Sequence, residues 1–198
     1  MTWVKICGLT RPEDVEAAEV AGADALGFVL IQSSPRVITI DQAATLIGRS
    51  ERAAFILTKD LHPPDLIAAA LATGATGVQP YGLHAAEAAA AATEVGLEVL
   101  RPVDPGEDVA HIPLDQYPLF DSKSKAGDGN GGRMVDPASL PVSDRAFVLA
   151  GGLTPGNVSQ VIASARPWGV DVSSGVETRP GVKDAGLIRS FVDAVRRS

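Results

Sequence analysis

Short apolar runs alternate along this chain with longer segments of helix-forming sequence. The runs predict strands over 2–7, 24–30, 52–58, 76–79, 97–103, 117–121, 146–150 and 168–173. The longer segments predict helices over 11–21, 40–48, 64–73, 85–95, 154–165 and 184–196. Two shorter helical stretches are expected after the fifth and sixth strands. Thr10 is expected to cap the first helix, with Pro12 in its first turn and Glu13 completing a Thr-x-x-Glu capping box. Strand and helix in strict alternation imply parallel pairing and right-handed crossovers. Eight is the closure number of the (β/α)8, or TIM, barrel. The expected fold class is therefore α/β, a compact single-domain (β/α)8 barrel over residues 1–198. Such barrels usually need about 250 residues, so the helices must be short and the loops tight. A doubly wound open sheet is the alternative.

Composition narrows the function classes. Hydrophobic residues make up 45% of the 198 residues, which argues for a packed core and against disorder. No apolar run is long enough to span a bilayer. Met1 leads straight into the first strand, so no signal peptide is expected. A single cysteine forms no internal disulfide and fits a reducing cytoplasm. Three scattered histidines with that cysteine suggest no metal-ligand cluster. The net charge of −7, with no basic cluster, argues against nucleic acid. A small anion remains a possible ligand, because backbone amides at helix starts hold phosphate without net positive charge.

Candidate chemistry gathers at the predicted strand ends. Alternation in the first strand puts Trp3, Lys5 and Cys7 on one face and Val4 and Ile6 on the other. The apolar pair should meet the helices, leaving Lys5 and Cys7 inside with Cys7 nearer the mouth. A buried lysine needs a partner or a ligand, and its charge would lower the thiol pKa and help it act as a base. An inert buried cysteine is the alternative. Asp121 ends the sixth strand; alone it reads equally as a turn residue. A barrel would gather both around one mouth, as a base and an acid. Gly151 and Gly152 follow the seventh strand, and Ser173, Ser174 and Gly175 follow the eighth. Phosphate sites of such barrels use those two loops. Arg36 in Ser33-Ser34-Pro35-Arg36 could clamp a carboxylate, or it is a solvated surface residue. Asp171 faces inward by parity, where it could neutralise Lys5 or touch a ligand. One long segment, 122–133, carries Gly127, Gly129, Gly131 and Gly132 and reads as a closing lid or as disorder.

Over nearly its whole length the chain resembles the phosphoribosylanthranilate isomerases of tryptophan biosynthesis. The most specific segments are Lys5-Ile6-Cys7-Gly8-Leu9-Thr10, Gly22-Ala23-Asp24-Ala25-Leu26-Gly27-Phe28-Val29, Ser34-Pro35-Arg36, Leu149-Ala150-Gly151-Gly152-Leu153-Thr154-Pro155 and Gly169-Val170-Asp171-Val172-Ser173-Ser174-Gly175-Val176-Glu177. The resemblance implies a (β/α)8 barrel that performs an Amadori rearrangement of N-(5′-phosphoribosyl)anthranilate. It implies Asp121 as general acid and Cys7 as general base, with Arg36, Gln79 and Asp171 binding substrate. Gly151, Gly152, Ser173, Ser174 and Gly175 would hold its phosphate. It implies no metal or organic cofactor. The expected partner is a small phosphorylated molecule, with no nucleic acid and no membrane, and the expected state is a monomer or homodimer.

Two segments depart from the family pattern. Val78-Gln79-Pro80-Tyr81-Gly82 stands where the family usually has Val-Gln-Leu-His-Gly, and 129–137 differs from the usual Gly-Gly-Thr-Gly and Phe-Asp-Trp pattern. Three other readings remain. One is the related isomerase of histidine biosynthesis, which resembles a barrel with an aspartate base and two phosphate sites. The others are a degenerate phosphate-ligand binder and a redox sensor working through Cys7.

Overall fold

The computed structural model describes residues 1–121, 140 and 145–198. Eight parallel strands close into a barrel in sequence order. They are β1 (Trp3–Cys7), β2 (Ala25–Val29), β3 (Ala53–Lys59), β4 (Gly77–Tyr81), β5 (Glu98–Val103), β6 (Gln116–Phe120), β7 (Val148–Leu149) and β8 (Gly169–Val172). The open sheet is thereby excluded. The helices are α1 (Pro12–Ala21), α2 (Ile40–Ile47), α3 (Pro63–Thr73), α4 (Ala85–Glu94), α5 (Val158–Ala165) and α6 (Ala185–Arg196). At 8 to 12 residues each, they show how the barrel fits so short a chain.

Strand parity builds two cores. Val4, Ile6, Leu26, Phe28, Ile56, Val78, Val99 and Val170 point outward and are fully buried against the helices. Each such side chain contributes roughly 1.5–3 kcal/mol by leaving water. Inward positions divide by height. The lower barrel is plugged by Phe55, Leu100, Leu119 and Val148, with Trp3 and Tyr117 packed against them. Nearer the mouth, Cys7, Val29, Ile31, Leu57 and Tyr81 form a smaller apolar cluster. The polar side chains Lys5, Gln79 and Asp171 are also buried. Their inward parity sets them between the plug and the mouth.

Four expectations change. Thr10 does not cap α1: the N-cap is Arg11, with Pro12 at the first helical position and no side-chain cap bond. Arg11 instead donates Nε and Nη2 to Asp14, while the Thr10 hydroxyl donates to the Gly181 carbonyl at 2.5 Å. No helix follows β5 among the described residues. There Pro105-Gly106 opens a run of turns, and the Arg145 guanidinium donates to the carbonyls of Val109, Ile112, Pro113 and Gln116. These acceptors serve a side chain rather than a helical ladder. The stretch expected after β6 lies outside the described residues, as does the proposed lid. Helix α5 starts at Val158 rather than 154, because Thr154 N–H donates to Asn157 Oδ1 and Asn157 Nδ2 to Gly152 O, closing a turn ahead of it. Finally, β8 leads through a single 3-10 turn, Ser174–Val176, into an unforeseen antiparallel hairpin of β9 (Glu177–Arg179) and β10 (Val182–Lys183).

Candidate active site

Lys5 and Cys7 are the third and last residues of β1, so both side chains enter the barrel. Lys5 is fully buried. Its Nζ lies 3.0 Å from Asp171 Oδ2 and 3.0 Å from Gln79 Oε1. Parallel pairing sets Lys5 directly beside Asp171 on β8. Burial alone would lower the lysine pKa, but the charges and hydrogen bonds of Asp171 and Cys7 outweigh it and hold Lys5 above 10.5. The side chain is therefore an ammonium, held by Asp171 and Gln79. Gly27, beside Cys7 on β2, leaves room for this pair: a Cβ there would stand 2.7 Å from Cys7 Sγ and 3.1 Å from Lys5 Cε.

The thiol departs from the expectation set by its lysine. Burial pushes the Cys7 pKa up, and Lys5 and Lys183 only partly oppose it, so the net shift is upward. Desolvation of a thiolate inside the barrel outweighs the neighbouring cations.

Gln79 and Tyr81 project inward from β4. Gln79 accepts from Lys5 and passes the direction on, its Nε2 donating to the Tyr81 hydroxyl oxygen at 2.6 Å. Burial first, then the charges of Asp121, Cys7 and Asp171, hold the phenol pKa well above 10.0. Tyr81 is thus a neutral phenol whose oxygen accepts one bond and whose own proton is left to donate.

Arg36 is buried, which excludes the solvated-surface reading. Its Nε and Nη2 donate to Glu177 Oε1 at 2.8 Å and Oε2 at 2.7 Å, a two-pronged ion pair. Burial alone would raise the Glu177 pKa, yet Arg36 and Lys183 bring it below 4.5. Asp121 follows directly on β6.

These groups share one cavity, which opens at the carboxyl ends of the strands. Cys7, Arg36, Gln79 and Asp121 all line it. Asp171 joins them, and its Oδ1 is buried with no hydrogen-bond partner among the described residues. Gly151 and Gly152 form the rim after β7, and Ser173, Ser174 and Gly175 the rim after β8. The two rims touch so closely that a Cβ on Gly175 would meet the Leu153 carbonyl oxygen at 1.8 Å. Val29, Ile31, Leu57 and Tyr81 supply an apolar wall. The empty volume, open solvent at the mouth included, is about 810 Å³. The ten residues Cys7, Arg36, Gln79, Asp121, Gly151, Gly152, Asp171, Ser173, Ser174 and Gly175 thus line this one cavity, while Lys5 does not line it and meets it through Gln79 and Asp171.

Three contributors were not singled out: Glu177, Lys183 and Ser34. Glu177 stood in a quoted segment without a role. Lys183 lies ten residues beyond Ser173 on a hairpin that no strand pattern announced. Ser34, two residues before Arg36, accepts from the Arg36 amide at 3.2 Å through its hydroxyl oxygen. Among the described residues no group of three His, Cys, Asp or Glu side chains could hold a metal ion. None of the described helices is long and apolar enough to cross a membrane.

A closed eight-stranded barrel with thiol, carboxyl and glycine-rich loops at one mouth defines a (β/α)8 enzyme of small-molecule metabolism. Residues 4–194 match the family model of N-(5′-phosphoribosyl)anthranilate isomerase. A protein of that name from Methylibium petroleiphilum is 38% identical, over 100% of this chain and 95% of its own length. The phosphoribosylanthranilate isomerase of Thermotoga maritima superposes with a TM-score of 0.88 at 31% identity, covering 100% of both chains. A further structure of such an isomerase, in complex with reduced 1-(o-carboxyphenylamino)-1-deoxyribulose 5-phosphate, gives 0.82 at 28% identity, again over 100% of both chains. The chain belongs to the N-(5′-phosphoribosyl)anthranilate isomerase family.

Proposed function

We propose that the protein converts N-(5′-phosphoribosyl)anthranilate to 1-(o-carboxyphenylamino)-1-deoxyribulose 5-phosphate in tryptophan biosynthesis, with Cys7 as base and Asp121 as acid. One observation carries the reading: a buried thiol and a carboxyl, 114 positions apart in the chain, line the same cavity between glycine-rich rims. Asp121 protonates the ribose ring oxygen, the bond from that oxygen to carbon 1 breaks, and the anthranilate nitrogen becomes an iminium. Cys7 then removes the proton on carbon 2, and the electron pair of that bond flows to the nitrogen. The resulting enolamine passes its hydroxyl proton to carbon 1 as it becomes the aminoketone. The substrate nitrogen is the electron sink, so the scheme calls for no organic cofactor. The reducing cytoplasm suits a base that must remain a free thiol.

The lining supports one substrate orientation. The rims after β7 and β8 offer small residues and hydroxyls to the phosphate. Val29, Ile31 and Leu57 offer the aromatic ring an apolar face. Arg36, braced by Glu177, takes the anthranilate carboxylate, and the unpartnered Asp171 Oδ1 takes the anilinic N–H.

Incubation with freshly made substrate should quench anthranilate fluorescence as product forms. Turnover only of the two-phosphate substrate of histidine biosynthesis would overturn the reading. Arg36→Ala should raise KM about 10–100-fold, the equivalent of a charge-assisted hydrogen bond, with kcat little changed. An unaltered KM would count against the clamp.

A further inference from the structure

The phosphate rims pose a charge problem. Their glycines and serines are neutral donors, and Arg36, the cation among the described lining residues, is engaged by Glu177. A second cation stands just behind them. Lys183, at the end of β10, has a fully buried side chain that runs back under β8. Its Nζ donates to Ser173 O at 3.0 Å, Ser173 Oγ at 3.3 Å and Glu177 Oε1 at 2.8 Å. Three acceptors match the three N–H groups of an ammonium and exceed the two of a neutral amine.

The direction of these bonds has a consequence at the rim. Ser173 Oγ accepts from Lys183, so the single hydroxyl proton of Ser173 must point elsewhere, and Ser173 lines the cavity. Resting on the phosphate reading above, we propose that Lys183 is a positioning residue for anion recognition, fixing the Ser173 hydroxyl as a donor into the cavity and supplying buried positive charge behind the phosphate loop. The hairpin that carries it is anchored for this purpose. The Lys183 amide donates to Asp14 Oδ2, Arg11 Nη2 donates to the Lys183 carbonyl, and Thr10 holds Gly181. Glu177 completes the arrangement. Its Oε1 receives both Lys183 and Arg36, so one carboxylate ties the phosphate loop to the carboxylate clamp.

Calorimetric titration with inorganic phosphate tests this without the isomerase substrate. Lys183→Met should weaken inorganic phosphate binding by about tenfold or more and raise substrate KM in proportion, with kcat within about threefold of the parent. Ser173→Ala should weaken phosphate in the same direction. The double variant should be little worse than the weaker single variant, because both changes break one chain of bonds. Additive losses, or wild-type phosphate affinity in Lys183→Met, would overturn the proposal. So would wild-type protein that binds no inorganic phosphate. Should Lys183→Met fail to fold, unchanged phosphate affinity in Ser173→Ala overturns it equally. A wild-type protein that binds phosphate but does not isomerise phosphoribosylanthranilate would defeat the functional reading and leave this one standing.

Discussion

Cys7→Ser should lower kcat by about 10²–10⁴-fold, the usual contribution of a positioned acid or base, while substrate binding stays close to that of the parent. Serine keeps the shape and hydrogen-bonding reach of the side chain. Its hydroxyl holds its proton far more tightly than a thiol does, so it cannot take one from carbon. Asp121→Asn should cost a similar factor, since an amide has no acidic proton to give. Steady-state kinetics by substrate fluorescence check both, and full activity in both variants would remove the role assignments. The pH profile adds a signed test. Burial raises the Cys7 pKa above 9.0, and the base must be the thiolate. The limb of kcat/KM governed by this group should therefore rise with pH on the alkaline side, and it should vanish in Cys7→Ser.

Lys5→Met should destabilise the fold by about 3–5 kcal/mol, the cost of leaving one member of a buried ion pair without its partner. The orphaned group would be Asp171, whose Oδ1 already has no hydrogen-bond partner among the described residues. Denaturant unfolding of the variant would measure the loss. A double variant, Lys5→Met with Asp171→Leu, should recover much of it, because removing both charges removes the desolvation problem. Lys5 is held above its ordinary pKa, so its contribution to stability is complete below 10.5 and is lost as pH rises through the folded-state value. A loss well under 1 kcal/mol in the single variant would mean that the pair does little for the fold.

The barrel was legible because its signal is repetitive. Eight short apolar runs separated by helices leave few topologies, and parity in β1 correctly turned Val4 and Ile6 to the helices and Lys5 and Cys7 inward. The cavity lining was legible for the same reason, as strand ends and the loops after β7 and β8 fall at fixed places in a closed barrel. What escaped depends on partners distant in the chain. Residues 104–115 lack a helix because Arg145 captures their carbonyls. Thr10 is drawn from the helix start by Gly181. The direction of the Cys7 shift turns on a contest between burial and two lysines, one of them, Lys183, from a hairpin too short to show a period.

The separation of the barrel interior into storeys bears on protein engineering. Phe55, Leu100, Leu119 and Val148 keep the strands closed from beneath, whereas Val29, Ile31 and Leu57 belong to the upper storey. A library varied at those three positions alone could reshape the apolar wall of the cavity, the berth proposed above for the aromatic ring, without loosening the scaffold that keeps the eight strands together.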